Sequence, residues 1–102
     1  MAEKARSITG DSWITIAQFA AGSGPYAYEM RVASSSANGV EILFGVEPNG
    51  QDAPSAGDEG VLIEPGGSTW RGGSISSGTQ RPITAVYVRS AGATISHGVQ
   101  AW

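Results

Sequence analysis

Cysteine is absent from the 102 residues, so neither a disulfide framework nor a thiolate metal site can be built. That absence fits a cytosolic origin. Basic residues are scarce: Lys4 is the one lysine, the arginines stand apart at Arg6, Arg31, Arg71, Arg81 and Arg89, and the net charge is −3. A nucleic-acid partner asks for a basic patch and usually an alkaline pI, so none is expected. Apolar runs are short. None approaches the roughly 20 residues of a membrane span, and the N-terminus lacks the apolar stretch of a signal peptide. The sequence therefore reads as soluble, with no membrane partner and no recognisable export signal. Nor does any segment sustain the three-to-four-residue apolar spacing of an amphipathic helix.

What is present instead is punctuation. Gly contributes 15 residues and Pro 5 against an apolar share of 40%, a balance that favours short strands divided by many turns. The stretch Tyr26 to Val46 carries the pattern most clearly. Tyr26, Tyr28, Met30 and Val32 share one parity and Val40, Ile42, Phe44 and Val46 another in the second arm, faces expected to be buried. Alternation of period two describes a strand with one face on a core and the other toward water. Ser34 to Gly39 lies between the arms and ends in Asn38-Gly39, a pair that tolerates positive φ and so predicts a hairpin turn.

The rest of the chain divides around this segment. Residues 1–12 are polar and read as an N-terminal arm with too few apolar side chains to join a core, with Gly10-Asp11 as a turn at its end. Residues 13–102 read as a single β-sandwich domain. Trp13 to Phe19 is a first strand with apolar residues on both parities, which predicts cover on both sides or a place in an interface. Glu47 to Gly60 is irregular and acidic, and so long a connection is often functional or flexible. Val61 to Glu64 and Ser68 to Arg71 are short strands, and Ile83 to Arg89 with Thr94 to Trp102 predicts a second hairpin about Ser90 to Ala93. About six to seven strands at short intervals place the fold in the all-β class, as a small antiparallel β-sandwich or jelly-roll-like barrel.

Side chains able to carry chemistry are few. His97, the one histidine, lies on the apolar parity of the last strand and reads as a core or edge residue with hydrogen-bonded ring nitrogens. No Gly-x-Ser-x-Gly elbow accompanies it, so no catalytic residue is assigned and no enzyme is expected. Asp52, Asp58, Glu59 and Glu64 lack the spacing of a calcium loop, and turn chemistry explains them. No metal ligand and no cofactor are assigned. Glu29 and Arg31 share a strand face, with Glu41 near them if the central hairpin follows its turn. Aromatic residues are many for so small a chain, and Trp and Tyr favour contact centres. The candidate interface set is Lys4, Arg6, Trp13, Trp70, Arg71 and Trp102.

From Arg31 onward a pattern combines Arg31-Val32, Asn38 in the turn, Ile42-Leu43-Phe44-Gly45, Leu62-Ile63-Glu64-Pro65-Gly66-Gly67-Ser68 and the closing Ala85 to Val88. It resembles the small β-sandwich virion proteins of tailed bacteriophages, the head-decoration or cement proteins and related minor capsid proteins. The long 47–60 loop and the strand Trp13 to Phe19 depart from that pattern. The resemblance implies a structural subunit made in the host cytoplasm and carried on the outer capsid surface. Its partners would be the major capsid protein or other virion proteins, and it would form a homo-oligomer, with a trimer favoured. The rival expectation is a carbohydrate- or receptor-binding module on a phage particle, with aromatics and the acidic loop facing a glycan.

Overall fold

The computed structural model describes residues 4–20, 22–46, 54–66, 69–73, 75–76, 79–80 and 82–99. Among these the chain forms strands and no helix: β1 (Lys4–Thr9), β2 (Ile14–Gln18), β3 (Ala27–Val32), β4 (Val40–Val46), β5 (Val61–Ile63), β6 (Thr69–Gly73), β7 (Ile75–Ser76), β8 (Thr79–Gln80), β9 (Ile83–Arg89) and β10 (Gly92–Val99). Two four-stranded sheets carry the fold, one in the order β1-β10-β3-β6 and the other in the order β2-β9-β4-β5. A two-stranded ribbon, β7-β8, interrupts the connection from β6 to β9.

Every pairing is antiparallel, and four of them are nested in sequence: β1 with β10, β2 with β9, β3 with β6 and β4 with β5. Such nesting is that of one long hairpin ribbon. The ribbon then wraps on itself, so that β10 pairs with β3 and β9 with β4. A wrapped hairpin of eight strands in two sheets is a jelly roll, the antiparallel sandwich built from two Greek keys.

Wrapping explains where the two expected hairpins fail. Neither β3 with β4 nor β9 with β10 is a pair; each joins one sheet to the other. A two-residue hairpin turn of type I′ needs positive φ at both central residues. Among the described residues positive φ occurs only at Gly10 (90°), Asp11 (52°) and Gly22 (77°). Asn38-Gly39 therefore lies in an arch rather than a hairpin. Gly10-Asp11, by contrast, forms a turn as the sequence indicates, and it links β1 to β2 across the sandwich.

The arches are held together at one end by Ser90, which is 3% exposed. Its hydroxyl donates to the Gly39 carbonyl at 2.8 Å and accepts from the Gly92 amide at 3.2 Å, while its own carbonyl accepts from the Asp11 amide at 3.0 Å. Asn38 Nδ2 adds a bond to the Gly92 carbonyl at 3.2 Å. Three inter-sheet links thus meet on one buried serine, which satisfies backbone groups that the sheet ladders leave over.

Facing follows the alternation even though pairing does not, except at Tyr26, which precedes β3 and is 44% exposed rather than buried. Tyr28, Met30, Val32 and Ile95 from one sheet meet Val40, Ile42, Val86 and Val88 from the other, all at 2% exposure or less. At the margin Trp70 stacks on Phe44, centroids 6.0 Å apart, and Phe44 meets Tyr28 edge-on at 6.4 Å, so three rings bridge the sheets. Gly72 lies under the Trp70 indole, where a Cβ would strike the ring.

The reading of residues 1–12 as an arm outside the core is corrected. Residues 4–9 are β1, paired with β10 along Lys4↔His97 to Thr9↔Gly92, and Ile8 is fully buried in the core cluster. One apolar residue is enough for an edge strand, because its other stabilising groups are backbone amides and carbonyls. The strand β2 resolves its two apolar parities through a bulge. Ile14 pairs with Val88 and Thr15 with Tyr87, but Ala17 pairs with Val86, leaving Ile16 as the extra residue. The parity shift lets Ile14, Ile16, Ala17 and Phe19 all pack against the core.

Candidate functional site

Across the outer face of the second sheet runs a row of four side chains: Trp13, just before β2, then Arg89, Glu41 and Leu62. Arg89 and Glu41 are direct cross-strand partners, as are Glu41 and Leu62. The Arg89 guanidinium lies 4.6 Å from the Trp13 ring centroid. Its Nε donates to Glu41 Oε1 at 3.1 Å and its Nη2 to Glu41 Oε2 at 3.3 Å. Further donors reach the Ala56 carbonyl at 2.7 Å and the Asp58 carbonyl at 2.9 Å. Arg89 therefore clamps the strap 54–60 over the sheet, spending its planar fork on a carboxylate and two carbonyls.

Glu41 completes the clamp. Its Oε2 accepts from the Gly60 amide at 3.1 Å. That bond, then the hydrogen bond from Arg89, holds the Glu41 carboxyl below the usual glutamate range against an opposing desolvation, with the Arg89 charge adding to the effect. Asp58 turns back on its own strap, accepting from the Ser55 amide at 2.8 Å and the Ser55 hydroxyl at 3.3 Å. The described part of the acidic loop is thus an anchored turn. Glu47 and Asp52 lie outside the described residues. Among the described residues no three His, Asp or Glu side chains gather where they could hold one ion.

His97 lies on the inner face opposite Met30, with Nδ1 2.5 Å from the Tyr28 hydroxyl. It is a hydrogen-bonded residue at the margin of the core, as the sequence indicates. The expected neighbourhood of Glu29, Arg31 and Glu41 does not form, because Glu41 belongs to the opposite sheet. Glu29 instead faces Arg71 across β3 and β6 at 3.9 Å, with the Arg71 side chain 57% exposed. Such a pair contributes little to stability.

The interface candidates among the described residues do not form one patch. Lys4 and Arg6 lie on β1 at one edge of the first sheet, while Trp70 and Arg71 lie on β6 at the other. Trp13 belongs to the second sheet's outer face and carries Arg89 on its ring. Its indole Nε1 is buried without a hydrogen-bond partner. The Trp70 ring is stacked on Phe44. Trp102 lies outside the described residues, as does the side chain of Lys4.

The surface that sequence reasoning missed is the β5 edge. Val61 is 53% exposed and Leu62 58%, and Glu59 and Glu64 stand exposed on either side of the strand. A three-residue apolar run reads as buried, and only its place at the end of the order β2-β9-β4-β5 leaves it open. Adjacent exposed aliphatic residues on a strand that ends its sheet among the described residues are a contact feature, since they offer apolar area beside an edge open to a further strand. No family model, curated protein or solved structure matches the chain.

Proposed function

We propose that the chain is a structural virion subunit of a tailed bacteriophage, an accessory or decoration protein that binds other virion proteins and stabilises the particle by adhesion. The observation that carries the reading is the nested strand order of an eight-stranded jelly roll, an architecture that recurs in viral capsid domains. Because one fold hosts many functions, the surface supplies the second support. The free β5 edge exposes Val61 and Leu62 and suits attachment to a protein partner through strand addition. Many copies on a particle would turn modest single contacts into a stable coat.

Jelly rolls also occur in lectins, so the test carries both arms. Purified protein is sedimented with phage particles and, separately, applied to a glycan array. Saturable co-sedimentation with a raised temperature of particle disruption is the expected result. Glycan binding without particle binding would replace this reading with that of a carbohydrate-binding module.

A further inference from the structure

The two edges of opposite charge point to each other. The β1 edge carries the exposed Arg6, whereas the β5 edge is bracketed by Glu59 and Glu64. Among the described residues β1 has a ladder partner only in β10, and β5 only in β4, so each stands at the edge of its sheet with one side open to a further strand. Among the described residues Arg6, Glu59 and Glu64 are exposed and make no ion pair. They stand at opposite ends of their sheets' strand orders, which prevents pairing within one molecule.

We infer that the β5 edge of one copy is a docking site for the β1 edge of a second copy, paired head to tail. Charge on an edge strand ordinarily blocks edge-to-edge association. Here it blocks selectively. Two β1 edges repel through Arg6, and two β5 edges repel through Glu59 and Glu64, but a β1 edge beside a β5 edge brings opposite charges together. Val61 and Leu62 lose water in that arrangement, and the free backbone groups of both strands gain partners. A contact between unlike edges is heterologous, so the pair keeps one edge of each kind open after the first encounter, β1 on one copy and β5 on the other. The assembly closes into a ring, a trimer among them, or runs on as a filament, according to the angle between copies. The inference needs no particle; an open assembly leaves one terminal β5 edge for a virion partner, whereas a closed ring occupies every β5 edge.

Two charge-reversed variants test it by sedimentation velocity, Arg6→Glu in one and Glu59→Lys with Glu64→Lys in the other. The unmodified chain is expected to associate at about 0.02 M salt and to dissociate at about 0.5 M, where screening shortens the reach of the charges. Each variant alone brings like charges together at the contact and should associate at least tenfold more weakly. Mixed in equal amounts, the two variants again present opposite edges and should recover association. Recovery also shows that both are folded. A monomeric unmodified chain, variants that associate as it does, or a mixture that stays dispersed would each overturn the inference.

Discussion

Arg89 and Glu41 face each other directly on β9 and β4, with Nε 3.1 Å from Oε1. Their contact joins residues 48 positions apart in sequence and fixes a third element, the strap 54–60, to the outer face of the sheet. Replacing Arg89 by Lys keeps the charge but removes the planar fork that reaches a carboxylate and two carbonyls together. Limited proteolysis of Arg89→Lys should cut within residues 54–60 faster than in the unmodified chain, while the remaining domain persists. Equal cutting rates would mean that the strap is held by something else.

Glu41 sets a pH dependence. Its folded carboxyl titrates below the ordinary glutamate value, chiefly because the Gly60 amide and Arg89 bind the charged form. The contribution is therefore complete above the unfolded value of about 4.3 and is lost as the pH falls through the lower folded value. Glu41→Gln should melt below the unmodified chain at neutral pH, and the gap should narrow below pH of about 4. A constant gap from pH of about 6 to about 3 would contradict this linkage.

Trp13 offers a comparison of two truncations. Its ring carries the Arg89 guanidinium, and its Nε1 is buried without a partner. Trp13→Phe keeps an aromatic face and removes the unsatisfied donor, so the two effects oppose and the change should stay within about 1 kcal/mol. Trp13→Ala loses ring and packing together and should cost clearly more in denaturant unfolding. Equal costs would show that the aromatic face contributes nothing.

Ser90 should behave as a structural residue despite its loop position. Ser90→Ala leaves the Gly39 carbonyl and the Gly92 amide without their hydroxyl partner, at an expected cost of about 1–3 kcal/mol. Ser35→Ala, at an exposed position of the same group of arches, should lie within about 0.5 kcal/mol of zero. Chemical denaturation of both variants checks the ranking.

Ile8 distinguishes a strand from a tail. Ile8→Ala should cost about 2–5 kcal/mol, because the side chain is fully buried between β10 and the opposite sheet. A loss of that size is a large part of the roughly 5–15 kcal/mol available to a typical domain. An unchanged denaturant midpoint would return residues 4–9 to the status of an arm.

What the sequence determined by itself is which side of each strand turns inward. Tyr28, Met30 and Val32, like Val40 and Ile42, are buried as their alternation requires, since successive side chains of any strand point to opposite faces. That rule is local and needs no knowledge of the partner. The strand β9 shows where it stops: Val86, Tyr87 and Val88 are all buried in a strand flanked by β2 and β4, so alternation is not expressed in its burial. Partnership itself was decided only in three dimensions. Two successive strands joined by a short link can pair in one sheet or face each other across two, and their alternation is the same in both cases. The wrapped ribbon takes the second course, so Asn38-Gly39 forms an arch and Glu41 meets Arg89 rather than Arg31. The same wrapping decided that Ile8 has a core to enter and that Val61 and Leu62 have none, although the mostly polar β1 reads as the more exposed strand and the apolar β5 as the more buried one. Burial of a lone apolar residue depends on what lies across the gap, and that neighbour is supplied by parts of the chain far away in sequence.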